Sequence, residues 1–307
     1  LDKQILVSFI FLFILGLFFS FSSTSFIADE RLNKAYYFFF QKHLLYALVS
    51  FSLMITISLL DTSLLNKILL PIFLVFFITM ILVPFFGIEV KGAKRWLNFY
   101  IFRFQPIEFI KPFFILIAAK IISSHWIKSL NLSYLLSFIL LSIIVLLLVL
   151  QPDLGQSVLL VCAWTSIIFI SGFNIYLLFL LLGFIVSILS ALIYFVPERF
   201  DYIISRITSF FDSDKGVYSQ SSRATEAIRE GSLKGQGMGE GILKESVPEA
   251  HTDYVIAVIS EEFGSIISIL IISIFLFIAF RVIKRIISLN NNFYKLALSG
   301  LISLLVF

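Results

Sequence analysis

The sequence predicts an all-α fold, a polytopic bundle of transmembrane helices. Three observations predict it: composition, the lengths of the apolar runs, and the placement of basic residues. Of 307 residues, 60% are hydrophobic, 37 are Phe and only 14% are charged, with a mean hydropathy of +1.04. Soluble domains run nearer ~45–50% apolar and about 25% charged, so a water-soluble fold of this size could not hide so much apolar surface. The net charge of +4 includes no basic run of the kind that binds nucleic acid. Cys162 is the single cysteine, which excludes an intramolecular disulfide. His43, His125 and His251 are too far apart in sequence to give a metal-ligand spacing.

A helix crossing ~30 Å of hydrocarbon needs about 20 mostly apolar residues. Runs that meet this need, or approach it, occur at Ile5–Ile27, Leu44–Leu60, Leu64–Phe86, Pro106–Ser123, Leu132–Leu150, Leu154–Gly172, Ile175–Val196 and Tyr254–Phe280, and a ninth begins near Leu296. Ile5–Ile27 lacks a strong basic flank and is too long for a signal-peptide core, so it reads as the first span. The chain opens at Leu1 rather than Met and stops inside Leu296–Phe307. We therefore expect a C-terminally truncated membrane domain over residues 1–307.

Orientation follows from Lys and Arg in short connections, which stay on the cytoplasmic side. Arg281–Lys295 carries Arg281, Lys284, Arg285 and Lys295, and Lys120–Asn131 carries Lys120 and Lys128, both without an acid. One threading satisfies both. It puts the N-terminus inside and the long connections Gly87–Gln105 and Pro197–Asp253 outside. Gly87–Gln105 holds Lys91, Lys94, Arg95 and Arg103 against Glu89 alone. Such cations on the translocated side fit either an anionic ligand or snorkelling to lipid phosphates.

The 57-residue connection 197–253, between spans 7 and 8, mixes seven basic and ten acidic residues. Loops much longer than ~15 residues are functional or disordered more often than not. Arg199–Phe211 has helical apolar spacing and could lie along the bilayer surface. Ser219–Glu230 suits a second short helix. Gly235–Gly241 reads either as a backbone that can approach a ligand closely or as a plain linker. It lacks the Gly-Lys-Ser/Thr of a phosphate-binding loop.

Ionisable residues in or beside spans are functional candidates by default. Lys94, Arg95, Gln105, Glu108 and Lys111 precede or open the fourth span, where Pro106 suits the first helical turn. Glu108 and Lys111 are three apart and can neutralise each other. Gln151-Pro152-Asp153 forms a turn. Glu249, His251 and Asp253 alternate, so an extended stretch puts them on one side. Asp253 could also serve only as a helix cap. Glu261 and Glu262 sit about two turns into the eighth span, where they should face the bundle interior and pair with cations such as Lys111 or Arg95.

These motifs in order, Lys91-Gly92-Ala93-Lys94-Arg95-Trp96, Gln105–Lys111, Gln151–Gly155, Gly235–Gly241, Val247–Tyr254 and Glu261–Gly264, resemble the SEDS family of cell-wall polymerases (FtsW, RodA and SpoVE). Pro248-Glu249-Ala250-His251-Thr252-Asp253 is more similar to the division branch, FtsW, than to RodA, which usually has Arg where Ala250 stands. The family has ten spans and a Pro- and Gly-rich signature near its end, before which this chain stops. The resemblance implies a peptidoglycan glycosyltransferase that polymerises lipid II into a growing glycan strand on the outer face of the bacterial cytoplasmic membrane. Asp253 would be the general base. Lys94, Arg95, Gln105, Glu108, Lys111, Gln151, Asp153, Glu249, His251 and Glu261 would bind substrate, with Arg95 and Lys111 at the departing diphosphate. A divalent cation, Mg or Mn, held by Asp253 or Glu249, could share that role. The implied partners are a class B penicillin-binding protein and other divisome membrane proteins. Two other readings are a lipid II flippase or transporter, and a non-catalytic divisome scaffold.

Overall fold

The computed structural model describes residues 2–32, 37–90, 93–99, 102–124, 130–195, 220–238, 240–241 and 254–307. Helices dominate: α1 (Lys3–Leu32), α2 (Phe38–Leu59), α3 (Thr62–Phe86), α4 (Pro106–Ile122), α5 (Leu130–Leu150), α6 (Leu154–Ile170) and α7 (Ile175–Phe195). After these come α8 (Gln220–Gly231), α9 (Val255–Phe263), α10 (Ser265–Ser288) and α11 (Asn292–Val306). Among the described residues, five stretches are long and apolar enough to cross a membrane: Lys3–Ser22, Phe40–Leu59, Thr62–Phe86, Asn131–Leu150 and Ser265–Ser288. Leu154–Ile170, Ile175–Ile188 and Asn292–Val306 are shorter apolar helices. Large side chains such as Phe179 (66% exposed) and Leu180 (69%) stand on the outside, as lipid requires and water does not.

Two expectations need correction. Gly87–Gln105, read as a plain connection, forms an antiparallel three-stranded sheet of β1 (Ile88–Val90), β2 (Ala93–Phe99) and β3 (Phe102–Phe104), in the order β1-β2-β3. Leu97 pairs with Phe104 and Asn98 with Arg103. Tyr254–Phe280, read as one span, is broken at Gly264, whose φ is +87°. A Cβ there would lie 2.2 Å from the Leu233 carbonyl oxygen, so the position accepts only glycine and ends α9 after nine residues. The 24 residues of α10 are the spanning helix instead, about 36 Å long at 1.5 Å per residue. Arg281, Lys284 and Arg285 therefore lie in its last turns rather than in a loop.

The chain packs as two compact units, Leu1–Leu60 with Arg206–Ile278, and Asp61–Ser205 with Ala279–Phe307. In the first, α1 packs on α2 through edge-on ring pairs such as Phe13–Phe51 (5.6 Å) and Phe21–Phe40 (5.4 Å). The small faces of α8 and α9 meet at Ala224, Ala227, Ala257 and Val258. Phe19 of α1 joins Ile259 and Ile271 in a second apolar cluster.

In the second unit, α4 is central. Ile110, Phe114, Ile115, Ala118 and Ala119 are fully buried in one core with Leu141, Leu148, Leu160, Trp164 and Ile167. Glycine sets the approach of α11. A Cβ at Gly300 would stand 2.6 Å from Ile115 and 2.8 Å from Ile167, which is the close backbone packing that small residues permit between membrane helices. Trp164 donates its indole N–H to Ser137 Oγ at 3.3 Å, satisfying the one polar atom it carries into this core.

Candidate functional site

In the second unit, the sheet and the entries to α4 and α6 gather a polar cluster. β2 has Ala93 and Leu97 buried and Lys94 and Asn98 exposed, and the alternation of a strand puts Arg95 on the buried side with Ala93 and Leu97. The Arg95 guanidinium donates from Nε to the Gln151 carbonyl at 3.3 Å and from Nη2 to the Pro152 carbonyl. Its Nε also lies 3.7 Å from Asp153 Oδ2. These carbonyls follow the last turn of α5, where backbone acceptors lack helical partners. Arg95 thus ties the α5–α6 turn to the sheet.

Gln105 donates to Asp153 Oδ2 at 3.3 Å, and Gln151 donates its side-chain amide to the Met80 carbonyl at 3.3 Å. The N–H groups of Gln151 and Asp153 both donate to the Leu148 carbonyl. Both side chains are buried. Burial pushes the Asp153 carboxyl above its ordinary value, and the Arg95 guanidinium opposes this only in part.

Beside this lies a second group. Lys111 Nζ is 2.8 Å from Glu108 Oε2, three residues earlier on α4. It also donates to Gln156 Oε1 at 2.9 Å, while Gln156 Nε2 donates to Glu108 Oε1 at 2.9 Å. Gln156 closes a three-membered ring of cation, amide and carboxylate. Sequence reasoning missed it. The available signal was its place three residues after Asp153, on the first turn of α6.

In the first unit, the Gly235–Gly241 run is a clamp on α9. Gln236 N donates to the Glu261 carbonyl at 2.9 Å and Gly237 N to the Glu262 carbonyl at 3.0 Å, capping acceptors left unpaired at the helix end. Ser265 adds its N–H (2.9 Å) and hydroxyl (2.6 Å) to the Ser232 carbonyl. Gly231 and Gly235 have no room for a Cβ, which would stand 1.9 Å from the Ser260 oxygen and 2.3 Å from the Glu262 oxygen respectively. The close approach these glycines allow is therefore to protein backbone. Glu261 and Glu262 are both buried, as their position suggested, and Gly241 sits against the Glu261 carboxyl; the cations expected to pair with them are engaged elsewhere, Lys111 by Glu108 and Arg95 by Asp153. Ser260 and Ser268 share a 2.6 Å hydroxyl contact.

The structure thus joins Arg95, Gln105, Gln151 and Asp153, and beside them Glu108 and Lys111. Lys94 is exposed on the other face of β2, paired in register with Glu89. Asp253, Glu249 and His251 lie outside the described residues, as does the amphipathic segment 199–211. Asp253 directly precedes Tyr254, the N-cap of α9. Among the described residues, no group of three His, Cys, Asp or Glu is gathered to hold a metal ion.

Apolar helices with outward hydrophobic surface and a polar cluster at their ends define a multi-pass membrane protein. The family of cell cycle proteins comprising FtsW, RodA and SpoVE matches residues 3–307, and the chain belongs to it. It is 33% identical over 304 residues to a Caulobacter vibrioides protein named "Probable peptidoglycan glycosyltransferase FtsW", covering 98% of this chain and 76% of that one. A Haemophilus influenzae protein of the same name is 32% identical over 304 residues, covering 95% and 75%. Among solved structures, the fold is similar to a chain of a peptidoglycan synthase complex in which polymerisation and crosslinking are coordinated (TM-score 0.73, 18% identity, 99% and 83% coverage). It is also similar to the rod shape determining protein RodA of Thermus thermophilus (TM-score 0.68, 20% identity, 99% and 81% coverage).

Proposed function

We propose that this chain is a peptidoglycan glycosyltransferase of the division branch, polymerising lipid II at the outer face of the bacterial cytoplasmic membrane. The observation that carries the reading is the FtsW relationship along 98% of the chain. In the reaction, the 4-hydroxyl of the acceptor disaccharide attacks the anomeric carbon of a lipid-linked donor. A new C–O bond forms, the bond to undecaprenyl diphosphate breaks, and the carbon inverts. The hydroxyl proton must go to a base, and the departing diphosphate needs positive charge.

We assign the base to Asp253, which leads directly into α9. A positioned base contributes typically ~10²–10⁴-fold. For the diphosphate, Lys111 is the better placed cation. Its ammonium has three donors, and Glu108 and Gln156 orient it from two sides. Arg95 spends its Nε and Nη2 on the α5–α6 turn, so it adds field and holds Asp153 in place. Fixed charges of this kind stabilise a developing anion without reorganising. We also assign substrate binding to Gln105, Gln151 and Asp153 within the second unit, and separately to Glu249, His251 and Glu261 in the chain around Asp253. Lys94 contributes from the exposed face of β2. A class B penicillin-binding protein that crosslinks the product is the proposed partner, alongside other divisome proteins.

The test is polymerisation of labelled lipid II by the full-length protein with its partner, wild type against Asp253→Asn. Glycan chains from wild type and none from an equally folded, partner-bound variant are expected. Equal product from both refutes the base assignment. No product from either, with lipid II crossing vesicle membranes, refutes the polymerase in favour of a flippase.

A further inference from the structure

The second unit holds a polar hollow at the end of α4 remote from Glu108 and Lys111. It encloses about 310 Å³ between α3, α4 and α11, with Asn66, Lys120, Ser123, Ser124, Asn291 and Tyr294 in its wall. Among the described residues, no carboxylate lines it, and Lys120 Nζ makes one hydrogen bond, to the Asn66 carbonyl at 3.2 Å; an ammonium has three donors. Asn291 accepts from the N–H groups of Phe293 and Tyr294, so the first turn of α11 is already capped. The amide group of Asn291 keeps its donors.

The Ser123 hydroxyl makes only a long 3.5 Å bond, to the Lys120 carbonyl, and can turn to a stronger acceptor; a cation, a hydroxyl and an amide match the chemistry of a phosphate oxyanion. The surroundings favour a lipid as its source. The helix ends and connections over 120–131 and 281–295 carry Lys120, Lys128, Arg281, Lys284, Arg285 and Lys295 and no acid, which is the pattern of the leaflet rich in anionic lipid. Tyr294 is an aromatic of the kind that settles at headgroup depth. Leu70, one turn beyond Asn66 on α3, is 54% exposed, so an acyl chain leaving the hollow meets apolar helix surface.

We propose that this hollow seats the phosphodiester headgroup of an anionic phospholipid, held by Lys120 with Ser123 and Asn291. The site is separate from the polymerisation chemistry and stands whether or not that reading does. The experiment is native mass spectrometry of the delipidated full-length protein titrated with phosphatidylglycerol, with phosphatidylcholine and inorganic phosphate as parallel arms. Wild type is compared with Lys120→Gln, Ser123→Asp and, as a control outside the hollow, Lys67→Gln. Phosphatidylglycerol should outcompete phosphatidylcholine on wild type. Its affinity should fall about tenfold in Lys120→Gln, the loss expected for one charge-assisted bond, and stay unchanged in Lys67→Gln. Ser123→Asp, which puts a carboxylate into the hollow, should show the same loss and carries the test if Lys120→Gln folds poorly. Equal retention of phosphatidylglycerol by wild type and the folded hollow variants overturns the proposal. So does displacement of the lipid by inorganic phosphate, which would assign the hollow to the free ion.

Discussion

Gly235→Ala tests whether the glycine run is a clamp. The residue has φ +80°, where a side chain costs roughly 1–2 kcal/mol. The new methyl would stand 2.3 Å from the Glu262 oxygen and 2.6 Å from Gly264 N. Both neighbours are backbone, so relief requires the 235–237 segment to move away from α9. That motion breaks the bonds from Gln236 N and Gly237 N, each worth about 1 kcal/mol net. The sum is about 3–4 kcal/mol, against a global stability of roughly 5–15 kcal/mol for folded domains. The protein should remain folded while α9 frays. Amide hydrogen exchange across Val255–Phe263 should accelerate roughly 10²–10³-fold, and polymerisation should fall with it. Gly183→Ala is the control, with nothing within 4 Å of the added methyl. Unchanged α9 protection in Gly235→Ala would refute the clamp and return Gly235–Gly241 to a plain linker.

Other outcomes follow from the remaining geometry. Asp153→Asn should alter the pH dependence of thermal stability: the folded carboxyl lies above its ordinary 3.8, so folded protein holds this proton more tightly than unfolded. Its contribution is therefore intact below 3.8 and is lost as pH rises through the folded value. Melting curves of the Asn variant should lack that decline; an identical pH profile contradicts the assignment. Gln156→Ala removes two bonds around Lys111 and Glu108, each about 1 kcal/mol. It should lower the polymerisation rate severalfold to tenfold with little change in melting temperature, and a wild-type rate rejects the role. Ser265→Ala loses the 2.6 Å hydroxyl bond to Ser232 and should raise exchange at the α9–α10 junction by about fivefold. Gly300→Ala forces a methyl against Ile115 and Ile167 and should cost about 1–3 kcal/mol as overpacking, read as a lower unfolding midpoint in detergent.

The membrane class and most helices were legible because apolar run length is a direct physical requirement of hydrocarbon. Gln220–Gly231 was legible from its polar helical pattern, and the burial of Glu261 and Glu262 from their setting. The sheet at 88–104 was not, since strands of three, seven and three residues give little alternation to read. The break at Gly264 was hidden because the runs on either side, Tyr254–Ile259 and Ile266–Phe280, are apolar. Its φ of +87° and its tertiary neighbours, the Leu233 carbonyl and Gly235 N, forbid a side chain there. In the site, Glu108 and Lys111 were legible as a helical pair. The grip of Arg95 on the 151–153 turn depended on contacts 56 and 57 residues away, which local patterns do not encode.

That separation has a consequence for how the protein is made. Arg95 leaves the ribosome well before the carbonyls that will receive it. At synthesis rates of about 5–20 residues per second, the gap amounts to roughly 3–11 s. During that interval α4 and α5 have to be placed while a guanidinium waits in water or among lipid phosphates. Completion of the α5–α6 hairpin is what converts it from a solvated charge into a fastener. A slowed stretch of codons between Lys111 and Gln151 would lengthen this exposed stage without altering one atom of the finished protein.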